Sequence, residues 1–480
     1  PADIGRALSG ACAVAKPDRK AGLEIYRGSE MTLPPKPKPR EDGRISLWRY
    51  TRLFRRDILS AQPARLYHAW MAEFRTPFFR SYLLNQPDLV DLVLKERPDD
   101  FPKSDRISEG LRPLLGNSVF LTNGETWKRQ RRIIDPAFEG GRLRATFPAI
   151  WAAAEAAVAR LPQGEVEIEA QTSHAAADVI FRTLFSVPIE DQTAQSVFHG
   201  FRAYQRTQPL VNLAAFLPFP RFMPRFMPRG FAKSTKRAAR DIRTLIARMT
   251  EKRVAEIAAG QAPDDLATKI LTMHDPQTGQ GFSPDEMVDQ VAIFFLAGHE
   301  TSASALAWAI YLLALYPEWQ TRIAHEARAL EGGCDFAVLS QLPVTRDVFR
   351  ETLRLYPPVP MMVREATRPE RFRDRVIKRG AQLVISPFHI HRHTRLWDNP
   401  DEFDPTRWEK GRRRGPYLPF SAGPRICTGA GFAMVEGVVL LAMLARAYRF
   451  DLIEGRAPPR PVAHLTLRAA NGIWLNITQR

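Results

Sequence analysis

The sequence predicts a mainly α-helical fold with small β-sheets, because its clearest apolar patterns are long and helical while its strand-like runs are short. The clearest helix spans residues 283–316, where Ser283 is a capping residue and Glu286 completes a capping box. Apolar residues continue to Tyr316, and Pro317 ends the helix. At about 1.5 Å per residue this helix is roughly 50 Å long, so it must cross the molecule with its middle buried.

Two further helices and three short strands complete the prediction. The second helix covers residues 344–356 and is ended by Pro357 and Pro358. The third begins just after Cys427 and continues to about Arg446. The strand-like runs are residues 79–84, 382–386 and 472–477.

The chain is long enough to bury a large core, and its 45% hydrophobic and 25% charged residues are ordinary for a soluble globular protein. No internal repeat or long linker follows residue 40, so residues 41–480 are predicted to form one domain. Residues 1–40 are predicted to be a flexible extension, and its basic, proline-rich end at residues 32–40 is expected to be extended and solvated. Met31 is the expected natural start, with residues 1–30 as an upstream extension or a cloning artefact.

The three cysteines, Cys12, Cys334 and Cys427, are far apart and odd in number, which argues against a disulfide framework. A reducing compartment is therefore expected, and the cytoplasm is the predicted location. The start of the chain has neither the apolar core of a secretory signal nor an uninterrupted apolar run long enough for a membrane anchor.

The net charge of +17 favours acidic partners. Nucleic acid is not expected, because no recognised nucleic-acid motif accompanies the charge. An acidic redox partner fits the charge, and so does an anionic membrane surface. The remaining interpretation of the positive charge is that it only keeps the protein soluble.

The segment from Phe420 to Gly429 carries the pattern that points to chemistry. Its Cys427 lies at the start of a predicted helix, where the helix dipole and free backbone N–H groups favour a thiolate. Gly423 and Gly429 allow the backbone to turn tightly and to approach a flat ligand. Arg425 precedes the cysteine by two residues and can meet a carboxylate. For a lone cysteine, a buried and inert side chain in a Gly/Pro turn is the competing interpretation.

The same segment resembles the cytochrome P-450 signature Phe-x-x-Gly-x-Arg-x-Cys-x-Gly at every fixed position. Further motifs of that family match in the expected order at residues 297–301, 351–354 and 403–408, and the resemblance extends over residues 45–480. It implies the triangular-prism cytochrome P-450 fold, with haem b between the long central I helix and the L helix. The Cys427 thiolate would be the axial ligand of the haem iron.

The resemblance also implies roles for individual residues. Thr301 and Glu300 would deliver protons to O2, which would bind in a groove beside Gly298, although taken alone they are an ordinary helix threonine and a surface glutamate. The other residues expected to contact haem are Trp127, Arg131, Arg364, Phe420, Arg425, Gly429 and Ala297.

Two other polar patterns are expected to be structural. Glu351 and Arg354 share one helix face, and with Arg407 they would form a buried ion-pair network that holds the cysteine loop. The alternating histidines of residues 389–393 suggest ligands on one strand face, but a structural role is favoured over a metal site.

The pocket above the haem is expected, by resemblance, to be lined by Val119, Phe120, Phe294, Phe295, Ala297, Val359, Met361, Leu465 and Thr466. This almost wholly apolar set predicts a lipophilic substrate that is fatty-acid-like, terpenoid or aromatic. The motif at residues 297–301 looks most similar to that of fatty-acid hydroxylating relatives. The expected activity is a monooxygenase; a peroxide-driven hydroxylase or decarboxylase and a non-catalytic haem sensor are the alternatives.

Electrons are expected from a separate ferredoxin or flavodoxin-like protein with its reductase, and ultimately from NAD(P)H, because no flavin motif is visible. The basic residues that would dock such an acidic donor, or would simply be solvated, are Lys128, Arg129, Arg132, Arg412, Arg413 and Arg414. Residues 210–231 interleave aromatic, Met and Arg residues. That segment is predicted to be a lid over the substrate entrance or a weak peripheral contact with an anionic membrane.

Overall fold

A computed structural model describes residues 33–43, 45–75, 80–207, 233–412 and 415–480. The expected start at Met31, the segment 210–231, Phe79 and the basic residues Arg413 and Arg414 lie outside these ranges. The α-helices within them are α1 (Leu47–Arg56), α2 (Pro87–Asp91), α3 (Asp105–Leu115), α4 (Gly124–Ile134), α5 (Gly140–Arg160), α6 (Ile168–Phe185), α7 (Gln192–Thr207), α8 (Lys233–Ala258), α9 (Leu266–Thr272), α10 (Pro284–Leu315), α11 (Pro317–Glu326), α12 (Pro343–Leu355), α13 (Pro387–Ile390) and α14 (Ala430–Ala447).

The strands are short and form small sheets at the edges of the helical body. They are β1 (Met71–Arg75), β2 (Arg80–Leu84), β3 (Gly164–Glu167), β4 (Met362–Glu365), β5 (Glu370–Phe372), β6 (Arg375–Ile377), β7 (Gln382–Ile385), β8 (Tyr448–Leu452), β9 (Pro461–Ala463), β10 (Leu467–Ala469) and β11 (Trp474–Gln479). One sheet has the order β1-β2-β7-β4, and its β2–β7 pair is parallel. A second sheet has the antiparallel order β3-β11-β8, while β5–β6 and β9–β10 are separate antiparallel pairs.

The central helix α10 confirms the prediction for residues 283–316. The Ser283 side chain accepts from the Glu286 N–H, and the Glu286 carboxylate accepts from the Ser283 N–H, so the capping box is complete. The helix ends at Leu315, and Pro317 begins α11. Most of α10 is buried against α6, α8, α12 and α14, as a helix crossing the molecule requires.

The proline-rich stretch differs from its prediction in one respect. Residues 33–39 belong to no helix or strand, and Pro34 and Pro37 are buried rather than solvated as predicted. The Tyr356 hydroxyl donates to the Pro35 carbonyl over 2.7 Å, and Lys36 forms an ion pair with Asp401. Packing against the end of α12 therefore holds this stretch on the domain surface.

Helix α14 is long and apolar enough, by composition, to cross a membrane. However, 67% of its 18 residues are buried inside the fold, where it packs against α5, α10, α11 and α12. The helix that follows the cysteine loop is accordingly a core helix, which matches the prediction of a helix from just after Cys427 to about Arg446.

Candidate haem-thiolate site

The cysteine loop before α14 is shaped by two residues with positive φ. Ser421 (φ 65°) and Gly423 (φ 70°) turn the backbone, and the Cys427 N–H donates to the Phe420 carbonyl over 2.9 Å. A Cβ at Gly423 would lie 2.0 Å from the Leu94 carbonyl oxygen, so only glycine fits here. The loop is a tight turn that presents Cys427 just ahead of α14.

The Cys427 side chain is exposed although protein atoms surround it, as expected for a thiol that lines a concavity. Burial raises the pKa of the Cys427 thiol, while the Gly429 N–H and the charge of Arg131 act in the opposite direction. Without a bound cation the thiol therefore keeps its proton at neutral pH. A coordinated metal ion deprotonates a thiol outright, so this thiol suits metal ligation better than free nucleophilic chemistry.

A buried ion-pair network lies behind the loop, as predicted for Glu351 and Arg354. Both side chains are fully buried, and Arg354 Nη2 lies 2.8 Å from Glu351 Oε1. Arg407 Nε lies 3.3 Å from the same Oε1 atom. Arg354 Nε also donates to Glu351 Oε2 over 2.9 Å, and the remaining donors go to the backbone carbonyls of His391, Pro400 and Glu402.

His391 connects this network to the cysteine loop. The Leu418 N–H donates to His391 Nε2 over 2.8 Å, so the ring proton must be on Nδ1, which lies 3.1 Å from the Arg354 carbonyl. Burial lowers the pKa of His391 to about 3, which keeps the ring neutral. Residues 389–393 lie in α13 or directly after it, so the histidines do not share a strand face as their alternation suggested, and no cluster of potential metal ligands occurs among the described residues.

Four cationic side chains gather around the Trp127 ring and the cysteine loop, and we call them the cation cluster. Its members are Lys103, Arg131, Arg364 and Arg425. Arg425 lies over the buried Trp127 ring at 4.7 Å, and its Nε is buried without a hydrogen-bond partner. Arg364 is 8% exposed and donates to the Val363 carbonyl. Burial, then the charge of Arg425, lowers the pKa of Arg364 to about 10.

The cation cluster has too few anions of its own. Arg131 pairs with Asp135, and Arg425 Nη2 lies 3.5 Å from Asp99, whereas the side chains of Lys103 and Arg364 donate to backbone carbonyls. A ligand carrying two carboxylates, such as the two propionates of haem b, would supply the missing charge. The residues present therefore fit haem beside Cys427.

Lys103 belongs to the cation cluster but was not predicted from the sequence. Its Nζ donates to the Val119 carbonyl over 2.6 Å, and its backbone forms a bridge with Arg364. Burial, followed by the neighbouring guanidinium charges, lowers the pKa of Lys103 to about 6, so the amine becomes a full cation at pH 7 only when an anion such as a propionate binds beside it. Lys103 lies outside the sequence motifs, and only the folding of the chain brings it close to the site.

Replacing Lys103 with methionine is expected to weaken haem retention, because one cation that would meet a propionate is removed. One charged hydrogen bond is worth roughly 1.5–3 kcal/mol, so transfer of haem to excess apomyoglobin should be about ten times faster or more. The matched control is Lys95→Met, since Lys95 is an exposed lysine paired with Asp91. Equal transfer rates for both variants would contradict a role for Lys103.

One stripe of α10 is accessible although the helix is otherwise buried. Ala297 is exposed and Gly298 and Thr301 are half-buried, whereas Leu296 and His299 are 6% and 1% exposed. This spacing places the accessible residues on one helix face, which must border an internal space. The Thr301 hydroxyl donates to the Ala297 carbonyl over 2.5 Å, one turn back as expected.

Gly298 has a packing role in addition to its place in that stripe. A Cβ there would lie 2.4 Å from a methyl carbon of Ile180 on α6, so any larger residue would have to displace the Ile180 side chain. The expected groove beside Gly298 is thus partly occupied by Ile180.

Glu300 lies on α10 next to Thr301 and is 6% exposed rather than at the surface. Its Oε1 accepts from the Thr466 hydroxyl over 2.6 Å and from Arg468 Nη2 over 2.8 Å. The Arg468 side chain is 43% exposed, so this contact connects the buried carboxylate with solvent. Arg468 was not predicted, because no known motif of the sequence includes it.

Glu436 is a second candidate functional residue that was not predicted from the sequence. It is 1% exposed on α14, and Ser302 on α10 donates to its Oε2 over 2.6 Å. Burial raises the pKa of Glu436 to about 8, so the acid is mostly neutral at pH 7. The bond joins α10, one residue after Thr301, to the helix that follows Cys427. The sequence does contain one sign of this role, because Glu436 is a single glutamate within the apolar stretch of α14.

The predicted pocket residues fall into two groups. Val119, Phe294, Val359, Met361 and Leu465 are half-buried, and Phe120 is 43% exposed, so their side chains are free to line a cavity. Phe295 departs from its prediction: it is 2% exposed and its ring packs against Phe181 and Phe201, on the side of α10 away from the accessible stripe. Thr466 is also buried, with its hydroxyl bound to Glu300.

The basic residues of α4 are not all available for a partner. Arg129 donates to the Glu286 carboxylate and the Gly281 carbonyl, and Arg132 pairs with the fully buried Asp275. These two arginines therefore fasten α4 to the first turn of α10 and to the segment before it, contrary to the expectation of a docking role. Lys128 is 43% exposed and Arg412 is 52% exposed, although each lies near an acidic residue.

Curated relatives match most of the chain. A cyclooctat-9-en-7-ol 5-monooxygenase of Streptomyces melanosporofaciens is 33% identical over 423 residues, covering 86% of this chain and 87% of the relative. Cytochrome P450 4A24 of Sus scrofa is 31% identical over 420 residues, covering 82% and 81%.

A solved structure gives the same result for the fold. The crystal structure of the cytochrome P450DA heme domain superposes with a TM-score of 0.77 at 22% identity, over 93% of this chain and 98% of that one. The family model for cytochrome P450 matches residues 73–475, which include the cation cluster, the accessible stripe of α10 and the cysteine loop. The chain is a haem-dependent oxidoreductase that belongs to the cytochrome P450 family.

Proposed function

We propose that the protein is a monooxygenase that transfers one atom of O2 to a lipophilic small molecule, using electrons from a separate donor protein. The observation that carries this proposal is the combination of an accessible thiol at Cys427 with the accessible stripe around Thr301 on α10. The Ser302–Glu436 bond joins α10 to the helix that follows Cys427. A haem bound between these helices would supply the oxygen-activating chemistry, and the cysteine thiolate favours O–O cleavage.

The chain's own polar groups are suited to moving protons from solvent to the accessible stripe. The Arg468 side chain is partly exposed and contacts Glu300 Oε1, and Glu300 directly precedes Thr301 in α10. Thr466 and Arg468 hold the carboxylate from the β9–β10 side, so the acid is kept in place without being exposed. We infer that Glu300 takes a proton from solvent at its carboxylate and that the Thr301 hydroxyl passes it on.

The space over the accessible stripe suits an apolar substrate. The loop of residues 116–120 is tied to α10 because the Val119 N–H donates to Gln290 over 2.9 Å. The segment of residues 464–467 is tied to residues 358–361, since the Leu467 N–H donates to the Pro358 carbonyl over 2.9 Å. These three segments carry the half-buried apolar residues around the stripe, which favours recognition by shape.

Relatives support a lipophilic substrate without naming it. The name of the Streptomyces relative describes oxygen insertion at carbon 5 of an unsaturated alcohol. We propose that this protein takes a fatty-acid-like, terpenoid or aromatic molecule of similar apolar character.

The proposed electron donor is an acidic ferredoxin or flavodoxin-like protein that is reduced by NAD(P)H through a reductase. Ile426, next to the cysteine, is 44% exposed and marks a surface close to the thiol. Lys128 and Lys95 are exposed, and the chain's net charge of +17 would attract an acidic donor.

The test is turnover with labelled oxygen. The haem-loaded protein is supplied with NADPH, a ferredoxin and its reductase, and with fatty acids, terpenoid alcohols and alkyl aromatics in separate reactions under ¹⁸O₂. A product that gains one ¹⁸O atom only when donor and NADPH are present would support the proposal. Products formed only with added hydrogen peroxide would instead indicate a peroxide-driven enzyme.

A further inference from the structure

Helix α1 is firmly attached to the domain by one face. The Tyr50 ring lies 5.8 Å from the Phe54 ring and 6.5 Å from the Phe74 ring of β1. At its end, the Asp57 N–H donates to the Leu53 carbonyl, and the buried Asp57 carboxylate accepts from the Ala463 N–H over 2.8 Å. The orientation of the helix on the domain surface is therefore fixed.

The opposite face of α1 is exposed, cationic and carries one large aromatic side chain, and we call it the α1 face. It consists of Trp48, Arg49, Arg52, Arg55 and Arg56. Trp48 is 76% exposed, the highest value among the exposed large hydrophobic residues of the described chain. At about 100° per residue these five positions fall within an arc of about 120°.

The α1 face lacks counter-charges of its own. The helix contains no acidic residue, and the ion pairs found within the described ranges include none of its four arginines. Four guanidinium groups without acidic partners beside an exposed indole therefore leave this surface positively charged and open to an anionic partner.

An anionic lipid surface satisfies both features at once. Guanidinium groups bind phosphate in a bidentate manner, and tryptophan prefers the headgroup level of a bilayer. A convex helix with its cations spread along its length matches a plane of headgroups. We propose that the α1 face is a peripheral docking surface for anionic membranes, with the helix parallel to the bilayer and Trp48 inserted between headgroups.

The proposal is tested by vesicle flotation of the full-length, haem-loaded protein. The vesicles contain phosphatidylcholine alone or phosphatidylcholine mixed with phosphatidylglycerol. The test variants are Arg52→Glu/Arg55→Glu and Trp48→Ser. The matched control is Arg142→Glu/Arg328→Glu, which changes two exposed arginines on other helical segments and alters the net charge by the same amount. Unchanged haem absorption and melting temperature show that each variant is folded.

We expect the parent protein and the control double variant to float with the phosphatidylglycerol vesicles at low salt but not with pure phosphatidylcholine. Each basic residue near such a surface contributes about 1 kcal/mol, so Arg52→Glu/Arg55→Glu should lower the partition coefficient at least about tenfold. Trp48→Ser should lower it to a smaller extent. High salt should release the protein.

Two results would overturn the proposal. Equal flotation of both double variants would mean that net charge, or another part of the chain, causes the binding. If no protein floats but Arg52→Glu/Arg55→Glu slows reduction of the haem by an acidic ferredoxin, the α1 face is a protein-docking surface instead.

Discussion

Arg354→Ala is expected to prevent accumulation of the haem-loaded protein. Its guanidinium is fully buried, pairs with Glu351 and donates to three backbone carbonyls near the cysteine loop. Removing one partner of a buried ion pair typically costs about 3–5 kcal/mol, a large part of the net stability of a folded domain. We expect little or no haem absorption in the purified variant and a much lower melting temperature.

Arg350→Ala is the matched control on the same helix. Arg350 is half-exposed and pairs with Asp347, so its loss should change the melting temperature little. If Arg354→Ala bound haem as well as Arg350→Ala does, the network would not be what positions the cysteine loop.

Thr301→Ala is expected to separate electron consumption from product formation. The variant keeps Cys427 and the cation cluster, so haem should still bind and NADPH should still be consumed. It lacks the hydroxyl that we propose receives a proton from Glu300 and passes it on. Since positioned proton transfer contributes about 10²–10⁴-fold, product formed per NADPH should fall by roughly one order of magnitude or more, with hydrogen peroxide released instead.

Thr301→Ser serves as the control, because it keeps a hydroxyl that can donate to the Ala297 carbonyl. The measurement is product and hydrogen peroxide per NADPH for both variants. Unchanged product yield in Thr301→Ala would show that its hydroxyl does not carry the proton.

The main helices were predictable because their limits are encoded locally. Ser283, Glu286 and Pro317 specify the ends of α10 through capping and through the geometry of proline. The cysteine loop was likewise predictable, since its glycines and its cysteine occur together in one motif. Even so, the sequence did not reveal that a Cβ at Gly423 would collide with the Leu94 carbonyl oxygen.

The residues that were missed acquire their roles from distant parts of the chain. Lys103 joins the cation cluster because its backbone pairs with Arg364, and Arg468 reaches Glu300 across 168 positions. Glu436 depends on a serine of another helix. The error at Phe295 has a related cause: in a helix that is apolar on nearly every face, apolar residues facing the cavity and facing the core look alike in the sequence.

We infer that Cys427 ligates haem iron as a thiolate. This assignment is tested most directly by the absorption spectrum of the reduced protein under carbon monoxide, recorded also for Cys427→Ser. Cys334→Ser is the control, because Cys334 is an exposed cysteine outside the site.

We predict a Soret band at about 450 nm, the hallmark of thiolate-ligated haem in this family, in the parent protein and in Cys334→Ser. The band should be absent from Cys427→Ser. A band at about 420 nm in the parent protein would contradict the claim, because it would mean that the thiolate is absent or protonated.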